Sequence, residues 1–254
     1  MKPLRLLHTS DVHIGGGFRT PEEGDHHDHC LCPLVVIEQL VDEHRIDVML
    51  VVGDLFDHQR VSDELVSDVL GRLGKLGVPC VVINGNHDVH DERTVYVGGS
   101  VSQSGVIFLD DHDGTTVELL DGALTIWGKA MPVHDRGFRP LRGAPPRPRD
   151  DAWWVVLGHG HLDHDADDDL FGRSSPLSPD DIDATAADYV ALGHWHVRTD
   201  ASTENVPAWY SGAPYGVAAS QQMNLVDLDP ATGVVVGSLP VVLPVEGCAS
   251  PGRN

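Results

Sequence analysis

A chain of 254 residues, 41% of them hydrophobic, is long enough for one large domain with its own core. Its 39 acidic against 17 basic residues give a formal charge of −22, which argues against avid, self-sufficient binding to a polyanion. No stretch reaches the roughly 20 apolar residues of a membrane span, and the apolar part of the N-terminus, Leu4-Arg5-Leu6-Leu7, is too short for a signal peptide, so a cytoplasmic protein is expected.

In chain order, Leu4 to Thr9 reads as a buried strand. Pro33 to Arg45 places Leu34, Val35, Ile37, Leu40 and Val41 on a helical stripe, with Asp42 and Glu43 outside it. Asp47 to Val52 is a β-branched strand bounded by Gly53. Val61 to Leu76 repeats the helical period, and Val78 to Ile83 is a third strand ended by Asn84-Gly85. Alternating strand and helix predicts right-handed crossovers and a parallel sheet. The pattern then changes to short strands, Val106 to Leu109, Thr115 to Leu120 and Leu124 to Trp127, separated by Asp113-Gly114 and Asp121-Gly122. Pro132 to Asp151 is a Pro/Arg-rich surface loop without a period. Trp153 to Leu157 and Tyr189 to Leu192 are again buried strands, and Asn224 to Leu228 with Val234 to Leu239 make a closing hairpin. The expected fold is α/β, a four-layer α/β/β/α sandwich of two mixed sheets flanked by helices, over residues 1–245, with a short tail at 246–254.

Four cysteines are too few and too scattered for a disulfide framework. Cys80 lies in an apolar run and reads as a small buried hydrophobe. Cys30 and Cys32 follow His26, His27 and His29, but Cys-x-Cys lacks a second matching pair for a metal site, so a solvated loop is expected there. His44, His58, His90, His112, His134 and His164 take the same plain reading, as does the acidic run from Asp163 to Asp169.

Five motifs stand where apolar runs end: Asp11-Val12-His13, Gly53-Asp54-Leu55-Phe56-Asp57, Gly85-Asn86-His87-Asp88, Gly158-His159 and Gly193-His194-Trp195-His196. Singly, each has an ordinary explanation. Asp11 or Asp54 could cap a turn, a buried His is more often packed than metal-bound, and the glycines could be turn glycines. Together and in order, they supply the carboxylates, imidazoles and amide that suit a pair of borderline divalent metals. In α/β sheets the carboxyl ends of strands are also where ligands gather. The set points to a dinuclear metal hydrolase. His159 and His161 both follow the same strand; His159, nearest the strand end, is preferred as the ligand. Asp57 orients a ligand His or starts a helix.

These motifs resemble the calcineurin-like metallophosphoesterase superfamily, over residues 4 to about 215. Leu7-His8-Thr9-Ser10-Asp11-Val12-His13-Ile14-Gly15, Val52 to Asp57, Asp188 to His196 and Trp209-Tyr210-Ser211-Gly212-Ala213-Pro214 are most similar to the catalytic domains of SbcD-type DNA-repair exonucleases. The resemblance implies two divalent metals, Mn²⁺ first, with Fe²⁺, Zn²⁺ or Mg²⁺ as alternatives. Asp11, His13, Asp54 and His196 would hold the first ion. Asp54, Asn86, His159 and His194 would hold the second, with Asp54 bridging and a hydroxide between the ions. His87 would protonate the leaving oxygen or neutralise phosphoryl charge, its tautomer fixed by Asp88. The implied activity is phosphodiester hydrolysis, exonucleolytic on DNA with a partner ATPase; the alternative is a phosphomonoesterase or cyclic-nucleotide hydrolase. The chain resembles the catalytic domain without a DNA-binding cap or ATPase-docking segment, and Asp57 stands where some repair nucleases carry a catalytic His.

Overall fold

A computed structural model describes residues 1–16, 31–163, 175–216 and 219–242. In chain order the elements are β1 (Leu4–Thr9), α1 (Cys32–His44), β2 (Val48–Val52), α2 (Asp63–Leu73), β3 (Cys80–Ile83), α3 (Gly98–Ser104) and β4 (Ile107–Phe108). There follow β5 (Thr115–Leu119), β6 (Leu124–Gly128), β7 (Trp153–His159), β8 (His161–Leu162), β9 (Pro176–Leu177) and α4 (Pro179–Asp183). The last are β10 (Tyr189–Gly193), β11 (Thr199–Asp200), β12 (Ala208–Tyr210), β13 (Gln222–Asp229) and β14 (Gly233–Pro240). No helix among the described residues is long and apolar enough to cross a membrane.

The strands form two six-stranded sheets, ordered β14-β13-β1-β2-β3-β4 and β11-β12-β10-β7-β6-β5, and a small β8-β9 pair. In the first sheet β1, β2, β3 and β4 are parallel, with β13 antiparallel on β1 and β14 antiparallel on β13. In the second, β6, β7, β10 and β12 are parallel, with β5 and β11 antiparallel at the edges. Both sheets are mixed, as the sequence predicts.

Period-two alternation decides the layering. Leu4, Leu6, Val48, Leu50, Val52, Val81 and Ile83 point from the first sheet into one core, where they meet Trp153, Val155, Leu157, Tyr189 and Ala191 of the second. The intervening Leu7, Met49, Val51 and Val82 point outward to pack with Leu34, Ile37, Leu65, Val69 and Leu70 of α1 and α2. Continuous apolar runs follow from burial on both faces. Each such side chain contributes about 1.5–3 kcal/mol when fully buried.

The helices begin where their chemistry dictates. The Ser62 hydroxyl accepts from the Leu65 N–H to cap α2, with Asp63 and Glu64 in its first turn. Ser178 and Asp181 make a capping box for α4, with Pro179 entering the helix. The outer face of the second sheet has no long helix. Trp127, Trp154, Val156, Val190 and Leu192 are covered instead by Ile182 of α4 and by Leu141, Leu162 and Leu177. Part of the cover thus comes from the Pro/Arg-rich segment, which has no helix or strand, as expected.

The cysteine expectation holds in one half. Cys80 is buried and free, and burial pushes its thiol up to about 12. Cys32, however, is disulfide-bonded at the start of α1, a correction to the solvated loop expected there. His26, His27, His29, Cys30, His164 and the 246–254 tail lie outside the described residues.

His8 on β1 is fully buried, its Nδ1 lies 2.9 Å from the Tyr189 hydroxyl of β10, and its ring stands edge-on to that tyrosine. It joins the two sheets just before the first motif. Burial lowers its pKa from 6.5 to about 3. Below pH 6.5 the unfolded chain therefore takes up a proton that the folded chain refuses, so this group costs stability as pH falls. Between pH 7.5 and pH 5 the native protein should lose about 2 kcal/mol more unfolding free energy than His8→Gln. Denaturant titrations of both proteins at the two pH values measure the difference, and parallel losses would contradict it.

Candidate metal centre

Register brings the motifs together. Thr9 of β1 pairs with Val51, and Val52 of β2 pairs with Ile83 of β3, so three strands of the first sheet end level. In the second sheet Gly193 of β10 pairs with His159 of β7. The two sets of ends face each other closely enough to require glycine. A Cβ on Gly53, whose φ is +84°, would lie 2.1 Å from His159 Nδ1. One on Gly193 would lie 1.9 Å from the Val52 carbonyl oxygen. No other residue fits either position without moving a sheet.

The loops beyond these ends are strained. Asp11, His13, Asp54 and His194 all have positive φ, at 54°, 50°, 51° and 103°. Non-glycine residues seldom adopt that region, and such conformations, about 1–3 kcal/mol each, persist only where surroundings over-determine them. Here they do. The Asp11, His13 and Ile14 N–H groups donate to the carbonyls of Gly53, Asp54 and Leu55, binding the first motif to the second. The Asp11 carboxylate accepts from the His194 N–H at 3.0 Å and from the Ser10 hydroxyl. The Asp54 carboxylate accepts from the His87 N–H at 2.8 Å.

What remains are side-chain atoms converging on two neighbouring places. In the first, His13 Nε2 lies 3.2 Å from His196 Nε2, which lies 3.7 Å from Asp11 Oδ1. In the second, Asn86 Oδ1 lies 3.1 Å from His159 Nε2 and 2.8 Å from His194 Nδ1. Asp54 Oδ2 stands between them, 4.0 Å from His13 Nε2 and 3.4 Å from His159 Nε2. Donors sharing one ion at bonds of about 2.1 Å are separated by about 3 Å or slightly more, so both groups are spaced for a cation. The set Asp11, His13, His196 and the set Asp11, Asp54, His159 each bring three ligand atoms within 4.8 Å of one another.

Hydrogen bonding prepares these atoms. His159 Nδ1 donates to the Val52 carbonyl at 2.9 Å, which leaves Nε2 to face the centre. A backbone carbonyl on the far ring nitrogen is the usual orienting partner of a metal-binding histidine. Asp11 Oδ1 is buried and has no hydrogen-bond partner among the described residues, a costly state that a cation would relieve. The donor set fits two divalent ions.

Electrostatics follow from burial and proximity. Burial opposes the charge of Asp54, but the imidazoles of His159, His13 and His87 outweigh it and hold the carboxyl well below its usual range. Burial also opposes the charge of His159, yet the Asp54 carboxylate raises its pKa to about 9. His194 goes the other way, to about 3, through burial and the neighbouring His159.

Asp88 has a different place from the one expected. Its fully buried carboxylate accepts from the Gly85 N–H at 2.7 Å, the Phe56 N–H at 3.2 Å and the Tyr96 hydroxyl at 2.6 Å, tying the second motif to the third. Burial raises its pKa to about 6, and the Asp54 charge adds to the shift. The partner of the His87 ring is instead the Asp57 carbonyl, which accepts from Nδ1 at 2.7 Å. Asp57 also sets its Oδ1 3.2 Å from His13 Nδ1, and α2 begins only at Asp63, so it starts no helix. His161 sets Nε2 3.9 Å from Asp163 Oδ1, with its ring 6.1 Å from that of His194.

Sequence reasoning assigned no role to Ser10 or Tyr96 and read His134 as an ordinary histidine. Ser10 and Tyr96 hold the carboxylates of Asp11 and Asp88. His134 lies with its ring 6.1 Å from that of His194. None carries a motif; their sole signals are a hydroxyl beside Asp11, a tyrosine eight residues after Asp88, and a His in an aperiodic loop.

Residues 4–198 match the calcineurin-like phosphoesterase family. The chain is 26% identical over 232 residues to the DNA double-strand break repair protein Mre11 of Methanopyrus kandleri, covering 83% of this chain and 49% of that protein. It is 26% identical over 271 residues to the SbcD component of the nuclease SbcCD of Bacillus subtilis, covering 89% of this chain and 67% of that one. The chain thus spans about half the length of the first relative and two thirds of the second. In structure it resembles the calcineurin-like phosphoesterase YfkN of Bacillus subtilis, with a TM-score of 0.57 at 14% identity over 100% of this chain and 93% of that one, a likeness of fold. With five motifs at five strand ends and a family match over most of its length, the chain is a member of the calcineurin-like phosphoesterase family.

Proposed function

We propose that the protein is a dinuclear-metal phosphoesterase that cleaves phosphodiester bonds in nucleic acid or nucleotides. The observation that carries this reading is the position of Asp54 Oδ2 between two groups of ligand atoms. Asp11, His13, Asp54 and His196 would hold one ion, and Asp54, Asn86, His159 and His194 the other. A carboxylate can serve two ions because it has two oxygens and several lone pairs, whereas a neutral imidazole offers one. Bound metals would supply Lewis-acid polarisation of the phosphoryl group and lower the pKa of water. Oxygen and nitrogen donors without thiolate suit Mn²⁺, with Fe²⁺, Zn²⁺ and Mg²⁺ as alternatives.

The chain's own groups supply the rest. His87 stands edge-on to His13 with ring centroids 4.6 Å apart, and the Asp57 carbonyl fixes its Nδ1–H. Half-exposed and oriented, it is placed to deliver a proton to the departing oxygen. Asp88 holds the backbone that carries Asn86 and His87 and touches no reacting atom. The similarity to Mre11 and SbcD favours DNA as the polymer, with a partner ATPase adding grip, in the cytoplasm. The charge of −22 favours the second reading, a phosphomonoesterase or cyclic-nucleotide hydrolase that needs no polyanion surface.

Three measurements test this. Asp54→Ala should empty both positions, read as metal content by elemental analysis; a normal content would overturn the bridging role. His87→Ala should keep its metal and lose about 10²- to 10⁴-fold in turnover, the usual contribution of a positioned proton donor. Loss of metal in that variant would reassign His87 as a ligand. The Mn²⁺-loaded protein should hydrolyse single-stranded DNA and bis-p-nitrophenyl phosphate, and turnover confined to p-nitrophenyl phosphate would select the second reading.

A further inference from the structure

Trp195 sits between His194 and His196 and is 43% exposed, whereas Trp127, Trp153 and Trp154 are buried in the cores. Among the described residues it is the one aromatic side chain among the exposed large hydrophobics. A large apolar ring left in solvent inside a metal-binding motif does nothing for the core. Its placement is not loose. The His161 ring packs edge-on against both Trp195, at 5.8 Å between centroids, and His194, at 6.1 Å. His161 is in turn fixed by β8, which pairs with β9 through Pro176. The Trp195 ring is therefore braced beside the second group of ligand atoms.

The flank that carries this brace has an unusual charge. Residues 129–142 hold four of the chain's 17 basic residues and a single carboxylate, Asp135, in a protein of net charge −22, whereas Arg147 and Arg149 pair with Asp188 and Asp151 at the far, amino ends of β10 and β7. This segment lies on β9. The Ser175 N–H donates to the Asp135 carbonyl, and an Arg139 guanidinium nitrogen lies 3.4 Å from the Pro176 carbonyl oxygen. His134 of the same segment stands beside His194. Thus the 129–142 part of the stretch borders the side of the centre where Trp195 is exposed, facing carboxylates at Asp181, 3.5 Å from Arg142, and at Asp163, 3.9 Å from His161.

Resting on the phosphodiesterase reading above, we infer that Trp195 is a stacking platform for the nucleobase next to the scissile phosphate, and so determines specificity for nucleoside-bearing diesters. An unpaired base has a π-face that an exposed indole can cover, and the exposed Arg142 guanidinium is a basic group of this flank that an accompanying phosphate could meet. His161 is a positioning residue that holds the indole.

The test compares two diesters under Mn²⁺: thymidine 5′-(p-nitrophenyl phosphate) and its abasic 1,2-dideoxyribose counterpart. Stacking of one base should lower the wild-type KM for the thymidine ester by about 5- to 150-fold relative to the abasic one. That preference should vanish in Trp195→Ala and return in Trp195→Phe. Equal KM values for the two esters in the wild-type protein would overturn the platform and leave the phosphoesterase reading standing. If the metal-loaded protein hydrolyses neither ester, the phosphoesterase reading fails, and stacking is read without metal by quenching of tryptophan fluorescence with the dinucleotide TpT. Quenching by TpT that Trp195→Phe removes supports the platform, and quenching that is absent or persists unchanged overturns it.

Discussion

The arrangement depends on one buried carboxylate. Asp54 is 1% exposed, bears a charge that burial opposes, and stands between imidazoles from three strand ends. A lone buried carboxylate would neutralise by taking a proton. Here His159 and His13 shift the balance toward the ionised form, so that the pocket stabilises an anion where the fold alone would reject one. The same proximity raises the pKa of His159. The charges are therefore mutually dependent, and removing one partner leaves the other buried without compensation. A pair of cations would take over that compensation with the same atoms.

Such closeness has a steric condition. Two sheets packed face to face usually lie about 10 Å apart, with side chains filling the gap. At the carboxyl ends that filling is replaced by glycine, so that the Val52 carbonyl, the His159 ring and the Gly193 backbone nearly touch. The hydrophobic layer of Val52, Ile83 and Leu157 ends just before this point. The core thus supplies rigidity up to the last residue of each strand, and the strained residues after it inherit a fixed starting position. Hydrogen bonds between motifs then hold four positive-φ residues in place. The candidate ligand atoms are held in place by the fold's own hydrogen bonds, which is what a preorganised centre requires.

Much of this was legible in the residues. Buried parallel strands show as continuous apolar runs, and β1, β2, β3, β7 and β10 were all visible that way, as were the stripes of α1 and α2. Strand ends mattered more than strand lengths, because each motif begins where an apolar run stops. Other elements left no such trace. The Gly98–Ser104 helix has one apolar side chain, Val101, and the pairs β8-β9 and β11-β12 are too short for any period to register. Local order also misled about Asp88. Adjacent in sequence to His87, it invites pairing with that ring, but the turn directs its carboxylate inward to Gly85, Phe56 and Tyr96. The carbonyl that orients His87 comes from 30 residues earlier and carries no side-chain signature. Cys32 shows the same blindness, since cysteine count alone cannot reveal a single bond.

Net charge is the quantity most open to misreading. A field of −22 repels a polyanion at distances beyond a Debye length of about 8 Å only weakly at physiological salt, while contacts at the centre are set by nearby groups. Near the centre the charge is mixed: Lys129, Arg136, Arg139 and Arg142 of the 129–142 segment stand against Asp135, Asp163 and Asp181, and Arg147 and Arg149 pair with Asp188 and Asp151 at the amino ends of β10 and β7. Lys129 and Arg142 are joined there through the Arg142 carbonyl, and Arg142 extends toward Asp181 at 3.5 Å while remaining 65% exposed. A compact local field of this kind can hold one or two phosphates without holding a long duplex. If Trp195 stacks a base as inferred above, a short unpaired end would be favoured over an extended helix, since stacking needs a base free of its partner. On this view the charge distribution opposes capture of a long duplex and confines recognition to what the metal centre and Trp195 can reach.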